Sequence, residues 1–125
     1  MRNLLIVLSL CLFASTALAS ERIKWDDMSI AQQVSYIMGY GDGLTFSCFE
    51  QTKDFDACLK KHAVRSAELT QKVMNITKAV YSSPQHWHIP LRVSMRFIMA
   101  FARSEISQKD LEEILNSLAK ETKNP

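Results

Sequence analysis

Apolar residues recur every three or four positions along most of the chain after residue 28, a spacing typical of amphipathic helices. The first such segment follows Ser29, a favourable helix cap, and we predict one helix over residues 29–47. Its second half contains Gly39, Gly41 and Gly43, each costing up to about 1 kcal/mol relative to alanine. We therefore expect the glycines to let another backbone come close. The alternative is that the helix stops near Gly39 and the glycines form a turn.

Two further segments follow in the middle of the chain. Residues 48–64 combine cysteines with polar positions, so we predict a loop with at most a short helix around residues 56–62. Residues 67–81 place apolar side chains on one face and predict a second long helix that ends before Pro84. A proline disfavours helical geometry in the residue before it, which accounts for this ending.

The last third of the chain predicts two more helices. One begins at Pro90, which suits a first helical turn, and its apolar stripe is wide enough to predict burial on several sides, with Met95 and Met99 inside. The other follows Ser107, which forms a variant capping box with Asp110. No segment of useful length alternates apolar and polar residues. The predicted fold is therefore all-α, a compact bundle of about four helices with one disulfide-pinned loop.

The N-terminal segment has the features of a cleavable secretory signal. Arg2 supplies a positive start, residues 4–18 are nearly all apolar, and small residues at Ala17 and Ala19 favour cleavage before Ser20. The alternative is an uncleaved anchor, but the apolar run is shorter than the roughly 20 residues that a bilayer span needs. We predict a signal peptide over residues 1–19, one helical domain over residues 20–125, and a periplasmic or secreted protein that does not bind membranes.

Cysteine usage agrees with export. Cys11 lies in the predicted signal, which leaves Cys48 and Cys58 in the mature chain. Two thiols in an exported chain normally pair, so we predict a Cys48–Cys58 disulfide. The alternative is a pair of free thiols with redox or metal chemistry, for which the chain lacks CxxC spacing and clustered histidines.

The charge balance argues against a nucleic-acid ligand. The formal net charge is only +2, and the basic residues are scattered, with Lys60-Lys61 as the longest run. A field this weak does not draw a protein to nucleic acid. We therefore expect no nucleic-acid partner.

The clearest concentration of reactive side chains is His86-Trp87-His88. Two imidazoles need at least one further ligand to hold a metal ion, and no cysteine or carboxylate stands at a diagnostic spacing. We expect no metal and no cofactor. Trp87 either anchors the following helix to the core or stands at a binding surface. No nucleophile motif is present either, so we expect no catalytic residue and no enzyme activity.

Three stretches together resemble a known family. The segment around Gly39-Tyr40-Gly41-Asp42-Gly43 resembles the G-Y-x-x-G helix of the Rap/Tai type VI secretion immunity proteins. Residues 69–90, which end in a histidine-containing turn between two prolines, are similar to that family's second helix and its following turn. The apolar helix over residues 91–101 is the third match. The resemblance covers roughly residues 30–103.

This resemblance implies a small periplasmic helical protein that neutralises a peptidoglycan-cleaving amidase toxin by occlusion. It implies a structural role for Gly39 and Gly43 and makes homodimerisation plausible. Occlusion needs a platform with a few desolvated anchors, and aromatic residues commonly supply them. The candidate partner-binding residues are Tyr40, His86, Trp87 and His88.

A second resemblance is kept as the alternative. The HdeA-type acid chaperones of the periplasm are also small, helical and single-disulfide proteins. The close spacing of Cys48 and Cys58 differs from their long bridge. The chain is also compatible with another small periplasmic helical protein.

Overall fold

The structure, a computed structural model, describes residues 24–123, and the predicted signal peptide at residues 1–19 lies outside this range. The described residues form helices and no strand, which confirms the all-α prediction. This part of the chain contains five α-helices rather than about four. They are α1 (Ile30–Thr52), α2 (Phe55–His62), α3 (Ala67–Tyr81), α4 (Leu91–Ala102) and α5 (Gln108–Lys123).

Helix α1 begins at a complete capping box. The backbone N–H of Gln32 donates to the Ser29 hydroxyl, while the Gln32 side chain accepts from the Ser29 backbone N–H at 2.8 Å. The helix continues through all three glycines, so the alternative of a turn near Gly39 is wrong. It ends at Lys53, which adopts a left-handed conformation and donates its N–H to the carbonyl of Phe49.

The loop predicted over residues 48–64 is mostly helical. Helix α1 extends to Thr52, and α2 starts immediately afterwards because the Asp54 carboxylate accepts the backbone N–H of Ala57 at 3.0 Å. The short helix agrees with the prediction for this region. The extension of α1 was not predicted, because the residues that form it include several polar positions. The predicted disulfide is present, with the Cα atoms of Cys48 and Cys58 5.7 Å apart. It joins two helices rather than pinning a loop.

Helix α3 has the predicted bounds. It begins after Ser66, whose hydroxyl accepts the backbone N–H of Leu69 at 3.1 Å. Val73 and Val80 are buried as the apolar pattern predicts, but Thr77 is also fully buried. Its hydroxyl donates to the carbonyl of Val73 at 2.7 Å, which satisfies the polar group inside the core.

Helix α4 supplies the most thoroughly buried side chains. Pro90 lies at the cap position rather than inside the first turn. Met95, Ile98 and Met99 are at most 1% exposed, which confirms the predicted burial of both methionines. Helix α4 packs against α3 on one side and α5 on the other, whereas α1 packs against α2 and α3.

Helix α5 begins with the predicted capping box. The Ser107 backbone N–H donates to the Asp110 carboxylate at 3.0 Å, and the Asp110 backbone N–H donates to the Ser107 hydroxyl at 3.1 Å. Buried Leu111 and Leu115 lie on its inner face. Helix α5 also packs on the short 3-10 turn at Pro84–His86, so the C-terminal helix supports this turn.

Candidate functional site

The turn between α3 and α4, residues 82–90 and hereafter the Trp87 turn, is fastened to the end of α3. The last carbonyls of a helix have no partner within that helix. Here the Nδ1 of His86 bonds the carbonyl of Val80 at 2.9 Å, and the indole N–H of Trp87 donates to the carbonyl of Tyr81 at 2.9 Å. The side chains of His86 and Trp87 therefore bond two of the last carbonyls of α3, which fixes the turn against this helix.

His86 is buried, which corrects the prediction that it lies exposed at a binding surface. Its side chain and backbone together are only 8% exposed. Because a carbonyl oxygen can only accept, the bond to Val80 requires a proton on Nδ1 of His86. His86 therefore positions the turn from inside. A polar residue between a glutamine and a tryptophan gives no sequence signal of burial.

Trp87 lies on the surface with 61% of its area exposed. Of the two interpretations of Trp87, the one expected from the sequence, a core anchor for α4, is therefore wrong. Its indole N–H is held by the carbonyl of Tyr81, so the exposed ring is attached at a fixed point. An aromatic side chain that is ordered before binding loses little conformational freedom when a partner covers it.

His88 is exposed beside Trp87. The two histidines of the turn differ in their surroundings, since His86 is buried with its Nδ1 bonded to the Val80 carbonyl. Over residues 24–123, no group of three or more histidine, cysteine, aspartate or glutamate side chains is arranged to hold a metal ion. The same residues include no helix that is both long and apolar enough to cross a membrane.

Tyr40, the remaining predicted partner-binding residue, is partly buried at the junction of α1 and α4. Its ring stacks with Tyr36 at a centroid distance of 6.3 Å, and its hydroxyl donates to the carbonyl of Arg92 at 3.0 Å. Burial raises the pKa of Tyr40, and the nearby Arg96 opposes this rise. Tyr40 thus joins two helices and presents only one edge of its ring.

Two tyrosines that the sequence did not single out link Tyr40 with the Trp87 turn. Burial raises the pKa of Tyr36 most, and the charges of Tyr40 and Tyr81 add to the rise. The Tyr81 hydroxyl donates to the carbonyl of Ile89 at 2.8 Å. The i, i+4 spacing of Tyr36 and Tyr40 was the available signal, because such residues share a helix face.

The Tyr81 hydroxyl also fixes the start of α4. It lies 2.8 Å from the hydroxyl of Ser94, which is completely buried. Burial raises the pKa of Tyr81, and the hydrogen bond with Ser94 opposes the rise. Tyr81 therefore ties both sides of the Trp87 turn together, its carbonyl holding Trp87 and its hydroxyl holding the entry to α4.

The glycines of α1 have different surroundings. A Cβ added at Gly41 would lie 2.9 Å from the carbonyl oxygen of His62, so the expected close backbone approach occurs there. A Cβ at Gly39 or Gly43 would meet no atom within 4 Å among the described residues. Gly41 therefore makes the close backbone contact among the described residues, and the structural role that the resemblance implies for Gly39 and Gly43 stays a prediction.

Other apolar side chains are also exposed. Ile30, on the predicted packing face of α1, is 73% exposed because it is the first residue of the helix, and Phe46 and Phe55 are 61% and 51% exposed. None of these three side chains is held by a polar anchor as Trp87 is, since they carry no hydrogen-bonding group. Trp87 differs from these side chains because a hydrogen bond to the Tyr81 carbonyl holds its exposed ring.

Comparisons with models of protein families, with curated proteins and with solved structures gave no match to this chain.

Proposed function

We propose that this chain is an exported immunity protein that neutralises a cell-wall amidase toxin by covering the toxin's substrate cleft. The observation that carries the proposal is the hydrogen bond between the Trp87 indole and the Tyr81 carbonyl, which holds an exposed tryptophan on a rigid turn. Tryptophan is among the residues most enriched at energetic hot spots of protein interfaces. Blocking a cleft requires a fixed contour and no chemical step.

The disulfide supports the proposed location. Bridges such as Cys48–Cys58 persist in the periplasm and outside the cell, whereas cytosolic thiols are normally kept reduced. The predicted signal peptide and the resemblance to Rap/Tai immunity proteins agree with this compartment. Amidase toxins that cleave peptidoglycan act in the same compartment.

The proposal predicts that an amidase is encoded beside this chain, and it is tested with that enzyme in purified form. We expect the protein to suppress release of peptidoglycan fragments at equimolar concentration, and Trp87→Ala to lose most of this inhibition. Trp87→Phe serves as the matched variant, because it removes the indole N–H but keeps an aromatic ring. Undiminished hydrolysis in the presence of excess wild-type protein would refute the proposal.

A second candidate function is client binding at acidic pH by a periplasmic chaperone. The exposed Phe46 and Phe55 favour it, because apolar surface is what an unfolded client contacts. A light-scattering assay of client aggregation at low pH separates the two functions. A chaperone suppresses aggregation there, whereas an immunity protein leaves the scattering unchanged.

A further inference from the structure

Three arginines share one face at the C-terminal side of the Trp87 turn, with Arg92 and Arg96 inside helix α4 and Arg103 directly after its last residue. Arg92, Arg96 and Arg103 stand at positions i, i+4 and i+11, which fall within a narrow sector of a helix with 3.6 residues per turn. Met95, Ile98 and Met99 occupy the buried sector. The arginines therefore follow one edge of α4 along its length.

Two hydrogen bonds show what lies beside this edge. The Tyr40 hydroxyl of α1 reaches the backbone carbonyl of Arg92 at 3.0 Å. At the other end, the guanidinium of Arg103 donates to the carbonyl of His62 at the end of α2. The arginine edge thus touches α1 at Tyr40 and the C-terminal end of α2 at His62. We call the surface formed by Tyr40, His62, Arg92, Arg96 and Arg103 the basic seam.

The seam is strongly cationic at its α2 end. Desolvation lowers the pKa of His62 most, and Lys61 and Arg103 lower it further, while Glu105 opposes them. Arg96 also lowers it, so this arginine lies near both His62 and Tyr40. Arg96 is exposed, and none of the ion pairs found among residues 24–123 involves it. Among the charged groups that act on His62, the basic Lys61, Arg96 and Arg103 therefore outnumber the acidic Glu105.

The chemistry of the seam favours carboxylates on a protein over phosphates on a polymer. A planar guanidinium fits carboxylate and phosphate alike, so its neighbours make the distinction, and tyrosine with arginine is typical of protein interfaces. The whole chain has a net charge of only +2, which gives a weak long-range field for a polyanion. The seam begins beside the Trp87 turn, because Arg92 lies two positions after Pro90, the last residue of that turn.

We infer that the basic seam docks an acidic protein surface, placing carboxylates of the partner against Arg96 and Arg103 while the Trp87 turn contacts an adjacent part of it. This inference rests on the proposed function for the identity of the partner as the toxin. The charge preference itself is independent of that identity. A carboxylate that binds here replaces part of the water around Arg96 and offsets the local excess of positive charge.

The experiment uses a short poly-L-glutamate peptide as the probe, with the full-length mature protein observed by NMR. We expect perturbed resonances along the seam and a rise in the pKa of His62 when the probe binds, since added negative charge favours the imidazolium. Arg96→Glu should weaken binding about tenfold, equivalent to about 1.4 kcal/mol. Lys72→Glu on α3 is the matched control with the same change of charge, and it should have little effect.

Three outcomes would overturn the inference. These are an equal loss of binding in Arg96→Glu and Lys72→Glu, an unchanged His62 pKa, and tighter binding to a single-stranded oligonucleotide or to phosphatidylglycerol vesicles than to poly-L-glutamate. The amidase assay is separate from this probe. A seam that binds poly-L-glutamate in a protein that inhibits no amidase would leave the inference standing and the proposed function refuted.

Discussion

Gly41 of α1 lies directly against the backbone of His62, so closely that a methyl group added at Gly41 would lie only 2.9 Å from the His62 carbonyl oxygen. The same methyl would lie 3.1 Å from the backbone nitrogen of Val64. Backbone atoms cannot rotate away as a long side chain can. The contact therefore sets how closely the end of α2 and the following segment approach α1. Substituting the glycines of this helix should consequently change the free energy of unfolding by different amounts.

Gly41→Ala is expected to destabilise the protein by about 1–3 kcal/mol, the usual cost of overpacking. Gly43→Ala is expected to stabilise the protein instead. The added Cβ enters open space, and alanine favours a helix by up to about 1 kcal/mol over glycine. Urea unfolding followed by circular dichroism measures both. Equal effects of the two substitutions would contradict the packing described for Gly41.

The disulfide contributes stability by restricting the unfolded chain. Closing a loop of sequence separation 10 is expected to contribute about 2–3 kcal/mol in the chain-entropy model. The Cys48→Ser, Cys58→Ser double variant should show this loss in urea unfolding. Wild-type protein under reducing conditions serves as the control and should unfold at nearly the same midpoint as the double variant. An unchanged midpoint would argue against the bridge.

The two histidines of the Trp87 turn have different expected effects. His86→Ala removes the side-chain donor from the Val80 carbonyl, which keeps only weaker bonds such as that from the Ser83 N–H at 3.4 Å, so we expect a loss of about 1 kcal/mol. His88→Ala removes an exposed side chain and should change stability little. Acrylamide quenching of tryptophan fluorescence reports the accompanying movement of the turn, since Trp25 is buried and Trp87 is exposed. If both variants behave alike, His86 does not position the turn.

The capping box of α5 gives a pH-dependent prediction. Hydrogen bonds from the Ser107 hydroxyl and backbone N–H lower the pKa of Asp110 below its ordinary value of 3.8. The native state thus binds fewer protons than the unfolded state. The stabilisation of the fold by the Asp110 carboxylate is therefore present above pH 3.8 and is lost as the pH falls through the native pKa. Asp110→Asn should be less stable than wild type at about pH 6, with a difference that shrinks toward about pH 2. A pH-independent difference would contradict the role of the charge.

Local sequence signals were sufficient for several elements. Ser66 and Pro84 bracket α3, and the reciprocal bonds of Ser107 and Asp110 follow from residue types at a fixed spacing. Interactions within a few residues do not depend on the rest of the fold. The pairing of Cys48 with Cys58 followed in the same way, because no other cysteine lies outside the predicted signal.

The missed features depend on contacts between distant residues. The burial of His86 requires the end of α3 and the support of α5, neither of which is visible in its neighbours along the chain. The extension of α1 to Thr52 was hidden because its last turns are polar and partly exposed. Which glycine touches a second backbone depends on the path of the chain at His62, so helical spacing alone does not choose Gly41 over Gly43.

The most direct measurement is the growth of cells that produce the neighbouring amidase in their periplasm, together with this protein or its variants. The proposed function predicts that the wild-type protein restores growth, that Trp87→Phe retains part of the protection, and that Trp87→Ala loses it while remaining folded by circular dichroism. Cells that stop growing despite abundant, folded wild-type protein in the periplasm would contradict it.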